Sequence, residues 1–310
     1  MPISPTRRSL LAASMAAVAG LALPGLAGAA HSPLRLVPLD DDLALVEGAG
    51  APVVVAVSGR DLLLVDGGLA ARSGDLLRLL AQHYPGAQVR FLVNTHWHWD
   101  RSGANEALAG QGARLIAHEN TRLWLGTEVR STLDARVYPP RSARALPTQT
   151  FFDGVQGLDF GGQRLEYALL PQAHTDGDLS VYFPRQNLLV AGDVASGSGY
   201  PVLDTSTNGW IGGMVAALTT LMARCDAQTR VIGATGTVLR KADLLAQQDL
   251  CFAVLTRIGQ SYYKGETWAQ FQASAPTREF DAARGDPAQF LRAAYEGAWN
   301  HVNEIRRVTR

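Results

Sequence analysis

Cysteine is nearly absent from this 310-residue chain, which carries only Cys225 and Cys251. Two thiols exclude both a disulfide scaffold and a thiolate-built metal cluster. They sit in apolar, helical-looking contexts, Leu221-Met222-Ala223-Arg224-Cys225 and Leu250-Cys251-Phe252, where burial as small hydrophobes is the usual fate. A bridge between them in an oxidising compartment stays open. An excess of one charge is also lacking, since 28 basic residues balance 28 acidic ones. That balance argues against nucleic acid as the substrate, because phosphate-tracking proteins carry a basic excess. No apolar run reaches the 20 or so residues of a membrane span, and the nearest, at the N-terminus, is broken by Gly20 and Pro24. With 47% apolar and 18% charged residues the chain is not disordered, and its length suits one large domain.

What is present begins with a stretch that reads as an export signal. Thr6-Arg7-Arg8-Ser9-Leu10-Leu11 precedes an alanine-rich apolar stretch to Leu23, and Ala27-Gly28-Ala29 supplies small residues for cleavage. Residues 1–29 are therefore expected to be a signal peptide, leaving no stable membrane anchor and directing the protein to the periplasm or beyond. The paired arginines favour the twin-arginine route, which carries folded, metal-loaded proteins; an ordinary secretory signal is the alternative.

Four strands are expected at 34–38, 43–47, 53–57 and 62–65, then a helix over 74–83 capped by Ser73. The apolar run Val89-Arg90-Phe91-Leu92-Val93-Asn94 reads as a buried strand emptying into His96-Trp97-His98-Trp99-Asp100. A helix over 105–109, a strand over 113–117, a helix over 120–128, a Pro- and Arg-rich loop over 130–150 that borders the site, and a β-rich block over 150–191 follow. A helix over 211–225, a strand over 229–232, and helical sequence from Lys241 onward, with Leu244, Leu245, Gln248 and Cys251 on one stripe, complete the pattern. Two imidazoles at i and i+2 of extended chain project the same way, so both reach one ion about 2.0 to 2.1 Å away. Histidine is scarce, seven in all. A third candidate ligand, His174, lies in the turn Pro171-Gln172-Ala173-His174-Thr175-Asp176-Gly177-Asp178, and Asp193 ends the apolar strand Leu188-Leu189-Val190-Ala191-Gly192.

Taken with Leu64-Val65-Asp66-Gly67-Gly68, these segments resemble, in order and spacing, the metallo-β-lactamase superfamily over roughly residues 33 to 240. The resemblance implies an α/β (α+β) fold, a four-layer αββα sandwich, with residues 30–240 as its domain and 241–310 as a C-terminal helical extension packed on it. It implies a zinc site built from His96, His98, His174, Asp193 and Asp100, with Asp100 orienting a water that zinc acidifies from pKa 15.7 to about 7.

Two departures bear on the metal count. Members with two metals continue the first motif with histidine and carry a late Gly-His-Gly loop; here those positions read Arg101 and Thr235. A threonine hydroxyl is a poor donor, so one tightly held zinc and a weak or absent second site are expected. Arg101 is expected to hold Asp100 or to anchor a substrate anion. Tyr200 and Trp210 are candidates for a pocket wall, whereas Trp97 and Trp99 are expected to pack away from the imidazoles, and His83, His118 and His301 to be structural.

The expected activity is hydrolysis of a small molecule: a carboxylic ester, thioester, lactone or lactam. His96, His174 and Asp193 alone would suit ferrous iron in a dioxygenase of the persulfide type, and a non-catalytic metal-binding accessory protein is the third reading. Oligomeric state is not legible.

Overall fold

A computed structural model describes residues 33–308. The signal-peptide expectation falls on residues outside these. Strands β1 (Arg35–Pro38), β2 (Leu43–Glu47), β3 (Val53–Ser58), β4 (Asp61–Val65), β5 (Gln88–Val93) and β6 (Arg114–His118) lead to a two-stranded ribbon, β7 (Val129–Arg130) with β8 (Val137–Tyr138), and then to β9 (Gln149–Phe151). Apart from the ribbon these form a seven-stranded sheet in the order β1-β2-β3-β4-β5-β6-β9, antiparallel up to β4 and parallel beyond it. The second sheet has six strands: β10 (Val155–Phe160), β11 (Gln163–Leu169), β12 (Leu179–Phe183), β13 (Leu188–Gly192), β14 (Arg230–Gly233) and β15 (Val238–Leu239), paired in chain order.

Why the sheets stack is visible in the strand sequences. Strands β4 and β13 are apolar along their length rather than alternating, so both faces must be covered. In β4, Leu63 and Val65 point into the layer between the sheets, where they meet Leu165, Val181 and Phe183 of the second sheet. Leu62 and Leu64 point the other way, onto Leu76 and Leu80 of helix α1 (Ser73–His83) and Leu108 of α2 (Asn105–Gly110). A short helix, α3 (Glu119–Leu125), follows β6. On the outer face of the second sheet, Leu189, Ala191 and Val231 pack against Met214 and Leu218 of α4 (Ile211–Ala223) and against α5 (Lys241–Lys264). Four layers, αββα, result.

Beyond α5 the chain forms α6 (Trp268–Ala273), α7 (Arg278–Arg284), α8 (Ala288–Ala298) and α9 (Val302–Val308). Phe271, Phe290, Leu291, Ala294 and Ile305 join the α4–α5 core, so these helices share its apolar layer. The buried stripe of α5 is Leu244, Gln247, Cys251, Val254 and Ile258. Leu245 is 48% exposed, one helical step off the stripe the sequence suggested. Cys225 and Cys251 are both buried and unbridged. Among the described residues no helix is long and apolar enough to cross a membrane.

Strands β4 and β5 run parallel, so their C-terminal ends deliver Asp66 and Thr95 to the same edge. Strand β12 is antiparallel to β13, so the start of β12 and the end of β13 share one edge too. The two edges are joined by a backbone hydrogen bond from Leu179 N–H to the Thr95 carbonyl, 2.8 Å.

Helix α4 supports this edge from behind. A Cβ on Gly213 would lie 1.3 Å from the Gln172 carbonyl oxygen. The helix can approach the His174 loop only because no side chain stands there. Gly213→Ala is expected to lower stability by about 1 to 3 kcal/mol and to loosen metal retention with it. Gly74→Ala, at an exposed site in α1 with nothing within 4 Å, should instead stabilise by up to about 1 kcal/mol through helix propensity. Thermal melts of the two variants check this, and equal shifts would contradict it.

Candidate metal centre

His96 and His98 leave β5 in the loop that follows Val93, and His174 sits between β11 and β12. All three imidazoles are at most 3% exposed. His98 Nδ1 lies 3.1 Å from His96 Nε2 and 2.9 Å from His174 Nε2, and the three rings stand nearly perpendicular to one another, their centroids 4.6 to 4.7 Å apart. Asp193 Oδ2 is 3.9 Å from His96 Nε2 and 3.5 Å from His174 Nε2. One donor atom from each of these four residues lies within 4.8 Å of every other.

The outward-facing nitrogens decide what the inward-facing ones carry. His98 Nε2 meets Asp204 Oδ2 at 2.9 Å, and His174 Nδ1 meets the Val202 carbonyl at 2.9 Å. Both partners can only accept, so each ring places its proton there. His96 Nδ1 lies 3.1 Å from Thr95 Oγ1, whose own proton goes to Asp66 Oδ2 at 2.9 Å, so Thr95 accepts from His96. Each neutral ring therefore turns a lone pair inward. With the rings neutral, three lone pairs and a carboxylate oxygen converge, an arrangement that a cation relieves. Nitrogens about 2.0 to 2.1 Å from a tetrahedral ion stand about 3.3 Å apart, close to the spacing here. The donor set fits a divalent metal.

Burial, with each other's proximity second, holds His96 well below its ordinary value; burial also lowers His98, against the opposing pull of Asp204. For His174 burial likewise favours the neutral ring, but Asp193 and Asp178 outweigh it and raise the value. Asp178 is itself lifted to about 6 by burial, and it accepts from the backbone N–H groups of His174 and Thr175 and from Thr175 Oγ1 at 2.7 to 2.9 Å, fixing the loop.

Sequence reasoning missed Asp204. It is fully buried, takes hydrogen bonds from Ser206 and Thr207, and is held below its usual range by His98 and these hydroxyls although burial opposes this. Its backbone N–H also bonds the His174 carbonyl at 2.9 Å, so one residue orients two ligand histidines. Asp66, pushed up to about 7 by burial, performs the matching task behind Thr95 and His96.

The other expected site residues are distributed differently. Asp100 lies outside the four-residue cluster. It is half-buried, and burial raises it, with Asp193 adding to the rise and Arg101 opposing it. Arg101, 2% exposed, does not hold Asp100. Its guanidinium grips Asp193 Oδ1, stands 3.7 Å from Asp66 and donates to the Ala234 carbonyl at 3.1 Å, while its Nε is buried without a hydrogen-bond partner. One carboxylate oxygen of Asp193 thus faces the imidazoles and the other faces a fixed positive charge. Arg101 and Thr235, the two positions that depart from the family pattern, both lie outside the four-residue cluster, and Thr235 is exposed and bonded to Thr237.

Tyr200 lines a cavity of about 200 Å³ with Val202, Arg284 and Phe290. Trp210 is buried and stacked on His301 at 3.9 Å rather than standing at a wall, and its backbone N–H donates to the Ala173 carbonyl next to His174. Trp97 donates from Nε1 to Thr207, so it leans on the same loop as His98. His83 bonds the Leu79 carbonyl, and His118 bonds the Phe152 carbonyl while capping α3.

The model of the metallo-beta-lactamase superfamily matches residues 47–239. Among solved structures, a metallo-beta-lactamase from Pontibacter korlensis is similar at 20% identity and TM-score 0.56, over 70% of this chain and 98% of its own. The DIM-1 metallo-beta-lactamase gives 17% and 0.57, over 71% and 97%. A double mutant of the sec-alkyl sulfatase PisA1 gives 17% and 0.64, over 87% of this chain and 50% of its own. A comparison with curated proteins finds no match. At these identities the structural likeness concerns the fold.

Two outcomes follow from the geometry. Asp204→Asn should weaken metal binding about 10- to 100-fold while the protein stays folded, measured by competition with a chromogenic chelator; unchanged affinity would contradict the role given to Asp204. In metal-free protein, imidazole NMR should show His174 protonating above the ordinary value near 6.5 and His96 remaining neutral well below it. As pH falls the proton therefore reaches His174 first, and metal release starts there.

Proposed function

This chain belongs to the metallo-beta-lactamase superfamily, and on that premise we propose that it is an exported hydrolase that holds one zinc ion and cleaves a carboxylic ester, thioester, lactone or lactam in the periplasm or outside the cell. The observation that carries this reading is the convergence of three inward lone pairs and Asp193 beside Asp100, a half-buried carboxylate with a raised pKa. A divalent cation in this donor set supplies a Lewis acid that polarises the substrate oxygen and acidifies water. Asp100 receives the proton of the attacking water: a carboxylate lifted above its usual value is a stronger base, and no neighbouring side chain donates to it among the described residues. Water adds to the carbonyl carbon, the bond to the leaving oxygen, sulfur or nitrogen breaks, and that atom takes up the proton. Arg101 keeps Asp193 ionised and aimed at the imidazoles, as the lowered pKa of Asp193 reflects.

The iron-dioxygenase alternative uses His96, His174 and Asp193 and leaves His98 idle. Yet His98 Nδ1 is within 3.1 Å of both other ring nitrogens and Asp204 fixes its tautomer, which favours a three-imidazole set. Neutral composition and the buried Arg101 support a small-molecule substrate without nucleic acid.

Protein purified without added metal should contain about one zinc per chain and hydrolyse at least one member of a panel comprising an activated ester, a thioester, a γ-lactone and a β-lactam. His174→Ala should lose both metal and turnover. Asp100→Asn should keep the metal and lose about 10²- to 10⁴-fold in kcat. Full metal with no turnover on any member would favour a binding protein, and iron with oxygen uptake on a persulfide would favour the dioxygenase.

A further inference from the structure

Beside His98 lies a second feature that the hydrolytic machinery does not use. The two tryptophans that alternate with the ligand histidines, Trp97 and Trp99, together with Trp124, Tyr138 and Pro139, line a cavity of about 180 Å³. Trp99 and Tyr138 are stacked at 4.2 Å with planes 7° apart, and Trp97 meets both edge-on at 6.2 and 5.9 Å. The rings of Trp97 and Trp99 are centred 4.7 and 5.1 Å from that of His98, so a group in this box lies one side chain from a metal ligand. A dry cavity of about 150 Å³ is enough to hold benzene.

Most of the polar handles of the box are already committed. Trp97 Nε1 donates to Thr207, Trp124 Nε1 donates to Asp176 at 2.6 Å, and the Tyr138 hydroxyl donates to Asp134 at 2.6 Å. The rings therefore present apolar faces. Arg141 also lines the cavity, and among the described residues its guanidinium has no hydrogen bond or ion pair, only its backbone N–H being engaged, with the Leu125 carbonyl. The side chains left free, Arg141 and the Trp99 indole, are donors without an acceptor. A positive guanidinium repels the quaternary ammonium guests that aromatic cages otherwise favour and selects an anion, which it can bind through two parallel hydrogen bonds.

We propose that this box is the specificity subsite and that it takes a ring-bearing carboxylate, the ring in the cavity that the indoles line and the carboxylate on Arg141. The assignment names the substrate class for the hydrolase reading and rests on that reading for the reaction, though not for the binding. The ribbon β7–β8 and the turn after it bring Tyr138 and Arg141 to the tryptophans of the first ligand loop, which gives the segment 129–141 a role in substrate choice.

Titrating the zinc-loaded protein with 3-phenylpropionate and with its uncharged amide, read by tryptophan fluorescence, tests this directly. Saturable quenching is expected for both, with the carboxylate bound about ten-fold tighter. Arg141→Met should erase the ten-fold preference and leave amide binding intact; Trp99→Ala should weaken both ligands; neither variant should lose zinc. Zinc-stripped protein should keep the preference, because Arg141 and not the metal holds the carboxylate. Absence of saturable quenching, equal affinities, or a preference that survives in Arg141→Met and vanishes with the zinc would overturn the proposal. An intact preference in a protein inert on every substrate would remove the hydrolase and leave the subsite standing.

Discussion

Three imidazole lone pairs facing one point are mutually repulsive until a cation joins them, and this repulsion is the constraint around which the molecule is organised. Neutral rings are indifferent about which nitrogen bears the proton, so the inward arrangement must be enforced from outside. Asp204, the Val202 carbonyl and the Thr95–Asp66 pair do so, each by accepting the outer proton. These groups are buried, and their cost is offset by hydrogen bonds: besides His98, Asp204 accepts from three donors, the Ser206 N–H and the Ser206 and Thr207 hydroxyls.

The fold supplies the convergence because parallel and antiparallel strands place particular ends at one edge. Asp66 and the His96–His98 loop leave the C-termini of neighbouring parallel strands, while the His174 turn and Asp193 sit at the matching edge of the other sheet. The Leu179–Thr95 backbone bond ties those edges together, and α4 with its unsubstituted Gly213 presses the His174 turn into place. Between the edges stands Arg101, whose charge belongs to Asp193 and Asp66.

How much of this was legible depends on range. The strands and the spacing of His96 and His98 are local, and uninterrupted apolar runs such as Leu62-Leu63-Leu64-Val65 announce sheets covered on both faces. The lone His174 and strand-terminal Asp193 were legible through family resemblance. Asp204 was not: the run Asp204-Thr205-Ser206-Thr207 reads locally as a turn cap, which it is, but its bond to His98 spans 106 residues. The same holds for Arg101, expected to hold neighbouring Asp100 or a substrate anion, when its close ion-pair partner is Asp193, 92 residues on. In α5 the true stripe passes through Gln247, a polar residue that hydropathy patterning overlooks and that is buried because it bonds Ser196 and the Val194 carbonyl. Sequence pattern reports which residues share a segment; pairing across the two sheets is decided by the fold.

The central claim is that one cation is held by three imidazoles whose outer nitrogens are protonated. X-ray absorption at the metal edge of the purified protein tests it most directly. The account predicts a single zinc, four-coordinate, with three histidine ring signatures and nitrogen or oxygen neighbours at about 2.0 to 2.1 Å. A metal–metal distance of about 3.5 to 4 Å, or a shell with fewer than three imidazoles, would contradict it.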